Sequence, residues 1–237
     1  MGVKLERKKK RMMLLTVIYR AQKLLPLSQR SKFKLFLNLE WIFHRLSHES
    51  SFKNYPHDTH PVRQMSKKFI MTQIDENSVV LDLGCNLGEI SYMVSEVAKE
   101  VVGIDYIKNA IDIAKQNFKR DNLSFIHGEA LAFLNANDKK FDTLILSHIL
   151  EHLDDPKGFL MSFKDHFRYI YIELPDFDRY YFNQYRKDLD LSLIYTDEDH
   201  ITEFDRDELK ALLDECGLSI IREEYRYGVQ KVWCKTT

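Results

Sequence analysis

Near the amino end, Leu14, Val17, Ile18, Ala21, Leu24 and Leu25 recur at helical spacing with Arg20 and Lys23 on the other face. Lys4 to Leu25 is therefore expected to form a basic amphipathic helix, which Pro26 should end. A second helical pattern, Phe33, Phe36, Leu39, Trp41, Ile42, Phe43 and Leu46, follows the candidate cap Ser31. The two helices together predict an amino-terminal cap over residues 1–54. Tyr55 to Pro61, with two prolines and several polar residues, reads as the link to a catalytic domain over residues 55–237.

Beyond the link the period alternates. Short β-type runs at Val79–Leu83, Glu100–Ile104, Leu123–His127, Phe141–Ser147 and Tyr169–Leu174 are separated by helical patterns at Gly88–Ala98, Lys108–Phe118, Ala130–Ala136 and Asp155–Phe163. A further helix precedes the first strand, near Val62–Thr72. Strand followed by helix, repeated, is the order of a doubly wound, Rossmann-like α/β sheet. A last helix, Arg206–Cys216, is followed by two strands, Leu218–Tyr225 and Gly228–Cys234, close enough to form a terminal antiparallel hairpin and bring the sheet to seven strands.

Composition adds little to this until charge is followed along the chain. The net charge is −1, which excludes a globally basic nucleic-acid binder. From Met1 to Lys34, however, Lys4, Arg7, Lys8, Lys9, Lys10, Arg11, Arg20, Lys23, Arg30, Lys32 and Lys34 face one acid, Glu6. The expected object is a basic arm on a mildly acidic body. Cys85, Cys216 and Cys234 show no paired spacing, so neither a zinc site nor a disulfide framework is expected. The apolar stretch Met12–Tyr19 is too short to span a bilayer and runs into Arg20, Gln22 and Lys23 without a cleavage site. The expected location is the cytoplasm, with peripheral contact at the inner membrane surface through the basic helix.

Candidate chemistry begins where the first domain strand ends. Val79-Val80-Leu81-Asp82-Leu83 runs into Gly84-Cys85-Asn86-Leu87-Gly88, a turn whose glycines let a ligand approach the backbone. Asp82 is placed to hold a cationic or hydroxylated part of that ligand. Asp105 ends the second strand, seventeen positions past Gly88, where an acid accepts from ribose hydroxyls in dinucleotide-type folds. The turn lacks G-x-G-x-x-G, which argues against a nicotinamide oxidoreductase.

Asp82-x-Gly84-x-Asn86-x-Gly88 resembles the D-x-G-x-G-x-G motif of the class I S-adenosylmethionine-dependent methyltransferases, with Asn86 in place of the middle glycine. Glu151-His152-Leu153-Asp154-Asp155-Pro156 resembles the E-H-L-x-D-P stretch of the branch that includes the ubiquinone-pathway O-methyltransferases. The resemblance covers roughly Arg63 to Tyr227. It implies S-adenosylmethionine bound by Asp82, Gly84, Cys85, Asn86, Gly88, Asp105, Tyr106 and Ser147. It also implies Glu129 and Ala130 near adenine, and Arg63 reaching the cofactor carboxylate. The competing reading is a catalytically silent scaffold, with Asn86 as its sign.

A hydroxyl acceptor needs a general base or a metal that lowers its pKa. His148, Glu151 and His152 share a face if their turn is helical, so they are the candidate catalytic residues. With His200 they are also candidate ligands of a divalent ion softer than magnesium. The resemblance implies such an ion through an E-x-x-E-H motif, here altered by His148. Between Pro175 and Phe204, Tyr180, Tyr181, Phe182, Tyr185 and Tyr195 lie among Asp176, Asp178, Asp188, Asp190, Asp197, Glu198 and Asp199. A long connection of this kind reads as a lid over a small-molecule, sugar or lipid-linked acceptor. The amphipathic arm is expected to lie on anionic lipid, on the catalytic domain or on a second copy in a homodimer.

Overall fold

The central strands are apolar at nearly every position, which requires that both faces of the sheet be covered. In the computed structural model, which describes residues 13–56, 59–137, 139–192 and 199–237, they are. Strands β1 (Val79–Leu83), β2 (Glu100–Asp105), β3 (Leu123–His127), β4 (Thr143–Ser147) and β5 (Tyr169–Pro175) run parallel. Strand β6 (Leu218–Arg226) pairs antiparallel with β7 (Val229–Thr236), and β7 inserts beside β5, giving the order β3-β2-β1-β4-β5-β7-β6. The expected terminal hairpin is present, and its second strand is the one that joins the parallel sheet.

Alternating residues of each strand feed opposite layers. Leu81, Val102, Ile104, Leu144 and Leu146 pack with α6 (Ala130–Ala136), α7 (Pro156–Phe163) and α9 (Arg206–Glu215). Val80, Val101, Ile145, Tyr171 and Trp233 pack with Phe69 and Ile70 of α3 (Pro61–Met71) and Val94 of α4 (Glu89–Val94). Helix α5 (Lys108–Asn117) closes a smaller cluster of Ile111, Ala114, Cys85 and Phe125. Helix α4 is shorter than the periodicity suggests, because its cap Ser95 leaves the helix in a tight turn.

The amino-terminal segment departs most from expectation. Helix α1 is described only over Met13–Ala21, and Lys4–Met12 lies outside the described residues. Helix α2 runs from Gln29 to Asn54, much longer than the apolar pattern indicated. Its cap is Ser28, whose hydroxyl accepts from the Ser31 amide, so Ser31 lies inside the helix and is not the cap. Its polar stripe faces the domain: Glu40 pairs with Arg186, and the Arg186 guanidinium also donates to the Leu37 carbonyl at 2.9 Å. Arg186 belongs to α8 (Phe182–Asp188), a helix inside the connection expected to be a loop. Tyr195, Asp197 and Glu198 lie outside the described residues.

Candidate active site

The turn after β1 is shaped by two glycines with left-handed backbones, Gly84 at φ 70° and Gly88 at φ 82°. A Cβ on Gly84 would stand 2.4 Å from Ile149 Cδ1, and one on Gly88 2.5 Å from the Phe125 ring. Asn86 adopts φ 45°, the left-handed region that asparagine tolerates, so the backbone path survives replacement of the middle glycine. The turn is pinned to β2: the Gly84 and Cys85 amides donate to the Ile104 carbonyl at 2.9 and 3.2 Å. Asp105 completes the clasp, accepting from the Asn86 amide (2.9 Å) and the Ile107 amide (2.8 Å). Its two carboxylate oxygens have acceptor capacity beyond these bonds. The acid expected to meet a ribose thus also fixes the loop beside it.

Asp82 is buried and accepts from the Ser91 hydroxyl of α4 at 2.5 Å. Desolvation pushes its pKa up to about 7, against the opposing effect of the Ser91 hydrogen bond. A ligand cation nearby would favour its ionised form.

The remaining expected cofactor residues are placed unequally. Arg63 lies beside the turn, its guanidinium 3.2 Å from Glu89 at the start of α4. Tyr106 is exposed just past Asp105, and Ser147 ends β4 half-buried. Cys85 turns its side chain into the cluster under α5, away from the crevice, so it offers a ligand only backbone. Ala130 is likewise a core residue. Glu129 caps α6, accepting from the Leu131 and Ala132 amides at 3.0 and 2.7 Å. That capping bond is the local reason for an acid here.

At the end of β4, His148 adopts φ 56° and donates from Nδ1 to Glu151 Oε1 at 2.8 Å, with Nε2 3.7 Å from Glu173 Oε1. Burial by itself would lower its pKa, but the hydrogen bonds and charges of Glu151 and Glu173 outweigh that and raise it to about 10. The side chain keeps 43% of its surface accessible, and the cationic form follows from its two carboxylate neighbours. An imidazolium has no lone pair for a proton, so among the candidate catalytic residues His148 is fitted to orient an acceptor and not to deprotonate it. It is also not brought into the metal-ligand group. Leu150–His152 forms a single 3-10 turn and not an α-turn; Glu151 lies between the two imidazoles, bonded to His148 through Oε1 and grouped with His152 on its other side.

The group that does assemble is Glu151, His152 and His200, each offering a ligand atom within 4.8 Å of the others. The Glu151 carbonyl accepts from the Ile201 and Thr202 amides at 2.8 and 3.1 Å, and this brings His200 in from the distant segment. The two imidazoles meet edge to face, with ring centroids 4.8 Å apart. His200 donates from Nδ1 to Glu203 at 2.9 Å, and His152 from Nδ1 to the Asp199 carbonyl at 3.2 Å. Glu151 Oε2 is buried and has no hydrogen-bond partner among the described residues. One carboxylate and two imidazoles suit zinc, manganese or iron(II), and an orphaned buried carboxylate oxygen is the atom such an ion would satisfy.

A cavity of about 190 Å³ opens between α2 and the ends of β4, β5 and β7. His148 and His200 stand in its wall, with Trp41 and His44 of α2, Tyr180 and Arg179. Arg179 donates to His44 Nε2, and burial holds both groups' pKa values down.

Three contributors escaped the sequence reading as site residues. Glu173, which accepts from Ser66 at 2.9 Å and from the Tyr171 hydroxyl, was visible as a lone acid in an otherwise apolar strand. His44 and Trp41 lie on a polar stripe of α2, Glu40, Trp41, His44, Arg45 and His48, which the apolar pattern obscured.

Comparison with known proteins identifies the family and the fold. Residues 57–223 match a family described as "Methyltransferase domain". The chain is 30% identical over 113 residues to a ubiquinone biosynthesis O-methyltransferase of Pelagibacter ubique, covering 44% of this chain and 47% of that one. It is 38% identical over 73 residues to an uncharacterized RNA methyltransferase of Clostridium acetobutylicum, covering 30% of this chain and 16% of that one. The chain thus spans less than half the length of these curated relatives. Among solved structures, it superposes on magnesium protoporphyrin IX methyltransferase of Synechocystis with bound S-adenosylhomocysteine at TM-score 0.56 and 15% identity, over 73% and 81% of the two chains. The N-methyltransferase NodS of Bradyrhizobium japonicum gives TM-score 0.56 and 14% identity over 76% and 98%. At these identities the superpositions establish the fold.

Proposed function

The chain belongs to the methyltransferase-domain family of the class I S-adenosylmethionine-dependent superfamily, and from that premise we propose that it methylates a hydroxyl of a small acceptor, either a sugar, a glycolipid head group or a small metabolite. The observation that carries the acceptor reading is the cavity beside the strand ends, walled by histidines, aromatic rings and charged groups. Its volume of about 190 Å³ is below the roughly 300–1,000 Å³ of pockets that enclose drug-sized ligands. It therefore suits one ring or sugar unit, with any lipid tail left outside. Relatives named for ubiquinone O-methylation support oxygen as the target atom.

S-adenosylmethionine supplies a methyl group on a sulfonium, already activated toward a nucleophile. In this reading Asp105 holds the ribose, Asp82 faces the cationic end, Arg63 serves the carboxylate, and the Gly84–Gly88 backbone lies beneath. The residues around the cavity then exclude water and align the hydroxyl. His200, oriented by Glu203 and flanked by His152, takes the hydroxyl proton. A second reading is favoured by the orphaned Glu151 oxygen: Glu151, His152 and His200 would hold a divalent ion that lowers the hydroxyl pKa.

The silent-scaffold alternative loses its steric ground, since Asn86 follows the backbone path of a glycine. The test is methyl transfer from labelled cofactor to a panel of hydroxylated acceptors. Stable ether products that His200→Ala abolishes while S-adenosylhomocysteine still binds are expected. Cofactor binding with label appearing only on nitrogen, or on no acceptor at all, would overturn the proposal.

A further inference from the structure

Helix α1 presents apolar side chains with nothing packed on them. None of its nine residues is buried, and Met13, Leu14, Leu15, Val17, Ile18 and Tyr19 are 57–82% exposed. Leu24, just beyond, is 84% exposed. The outward side of α2 likewise exposes Phe36, Leu39, Ile42, Phe43 and Leu46, because its polar stripe is the side turned to the domain. Exposed apolar helix faces of this kind mark an interaction site. The domain does not cover it, which removes docking on the catalytic domain as the fate of the described part of the arm.

Charge decides what does. From Arg7 to Leu39 the sequence has no acid and ten basic residues, and Arg20, Lys23 and Arg30 are exposed beside the apolar face. A symmetric pair of copies would set this patch against itself, placing like charges together. An anionic bilayer instead offers hydrocarbon to the leucines and head-group charge to the lysines and arginines, the arrangement of an interfacial helix. No helix of the described residues is long and apolar enough to cross a membrane. We infer that α1 and the outer face of α2 form a docking surface for an anionic lipid bilayer, on which the chain lies peripherally. The inference stands apart from the identity of the methyl acceptor.

The test is sedimentation of the full chain with vesicles of phosphatidylcholine alone or mixed with phosphatidylglycerol, alongside a Leu14→Asp/Ile18→Asp variant. Both substitutions are on exposed positions, so thermal melting and S-adenosylhomocysteine binding should be unchanged. The wild type should pellet with the mixed vesicles only, and salt of about 0.5 M should weaken this. The variant should partition at least about tenfold less. Equal pelleting of variant and wild type, or none with either vesicle, would overturn the inference. So would a dimer in light scattering that persists with vesicles present and that the variant breaks, which would assign the face to a second copy.

Discussion

Replacing Asp105 separates its two duties, fastening the glycine turn and holding a ribose. In the free protein it accepts from the Asn86 and Ile107 amides at 2.9 and 2.8 Å. Hydrogen bonds to a charged group contribute about 1.5–3 kcal/mol each. Water at the crevice can replace part of what is lost, so the low end applies, and Asp105→Ala should cost about 3 kcal/mol. For a chain of this size that lowers the melting temperature by about 6–12 °C. Loss of cofactor affinity in this variant therefore proves nothing alone, since a loosened turn would also produce it. The decisive measurement is a calorimetric cycle with S-adenosylhomocysteine and its 2′-deoxy and 3′-deoxy analogues. If Asp105 accepts from a ribose hydroxyl, one analogue should bind the wild type about 10- to 150-fold more weakly than the parent, and Asp105→Ala should erase the difference. Equal binding of parent and analogues by the wild type would refute the ribose contact. So would an analogue penalty that persists in the variant.

Four further outcomes are expected. The raised pKa of Asp82, about 7, means the folded chain keeps a proton that the unfolded chain releases above the ordinary carboxylate range. Stability should therefore fall as pH rises from about 4 to 7, by up to about 4 kcal/mol, and denaturant melts of Asp82→Asn should lack this slope. S-adenosylmethionine binding near neutral pH should release a proton from the same group, detectable as a buffer-dependent heat. Gly88→Ala must place a Cβ against the Phe125 ring at a left-handed backbone, so thermal unfolding should show a loss of about 2–5 kcal/mol. If the Glu151, His152 and His200 group holds an ion, purified protein should contain a divalent metal that His200→Ala loses; metal-free wild type with full transfer activity would leave the base reading alone.

The sheet was legible because its strands are short apolar runs bounded by turn residues. Leu123–His127 and Val79–Leu83 are placed where the pattern puts them. The glycine turn proposed to hold the cofactor was legible for a related reason: glycine spacing and a strand-end acid are local features. The acceptor side was not, since its geometry depends on contacts far apart in sequence. His200 reaches Glu151 through backbone bonds across 50 positions, and Glu173 governs His148 from a neighbouring strand. No window of sequence shows that His148 is flanked by two carboxylates, and so its cationic form was invisible. Helix α2 misled for another reason: Phe36, Leu39, Ile42, Phe43 and Leu46 face outward, and a periodicity argument assumes the apolar face is the buried one.

That inverted helix means the covalent order of the chain does not match the division of labour within it. The crevice proposed for the methyl donor is built by the turns after β1 and β2 with Arg63 of α3, whereas one wall of the proposed acceptor chamber, with Trp41 and His44, comes from the amino-terminal segment. Exchanging that segment between relatives should therefore redirect which hydroxyl compound is chosen while leaving donor affinity where it was.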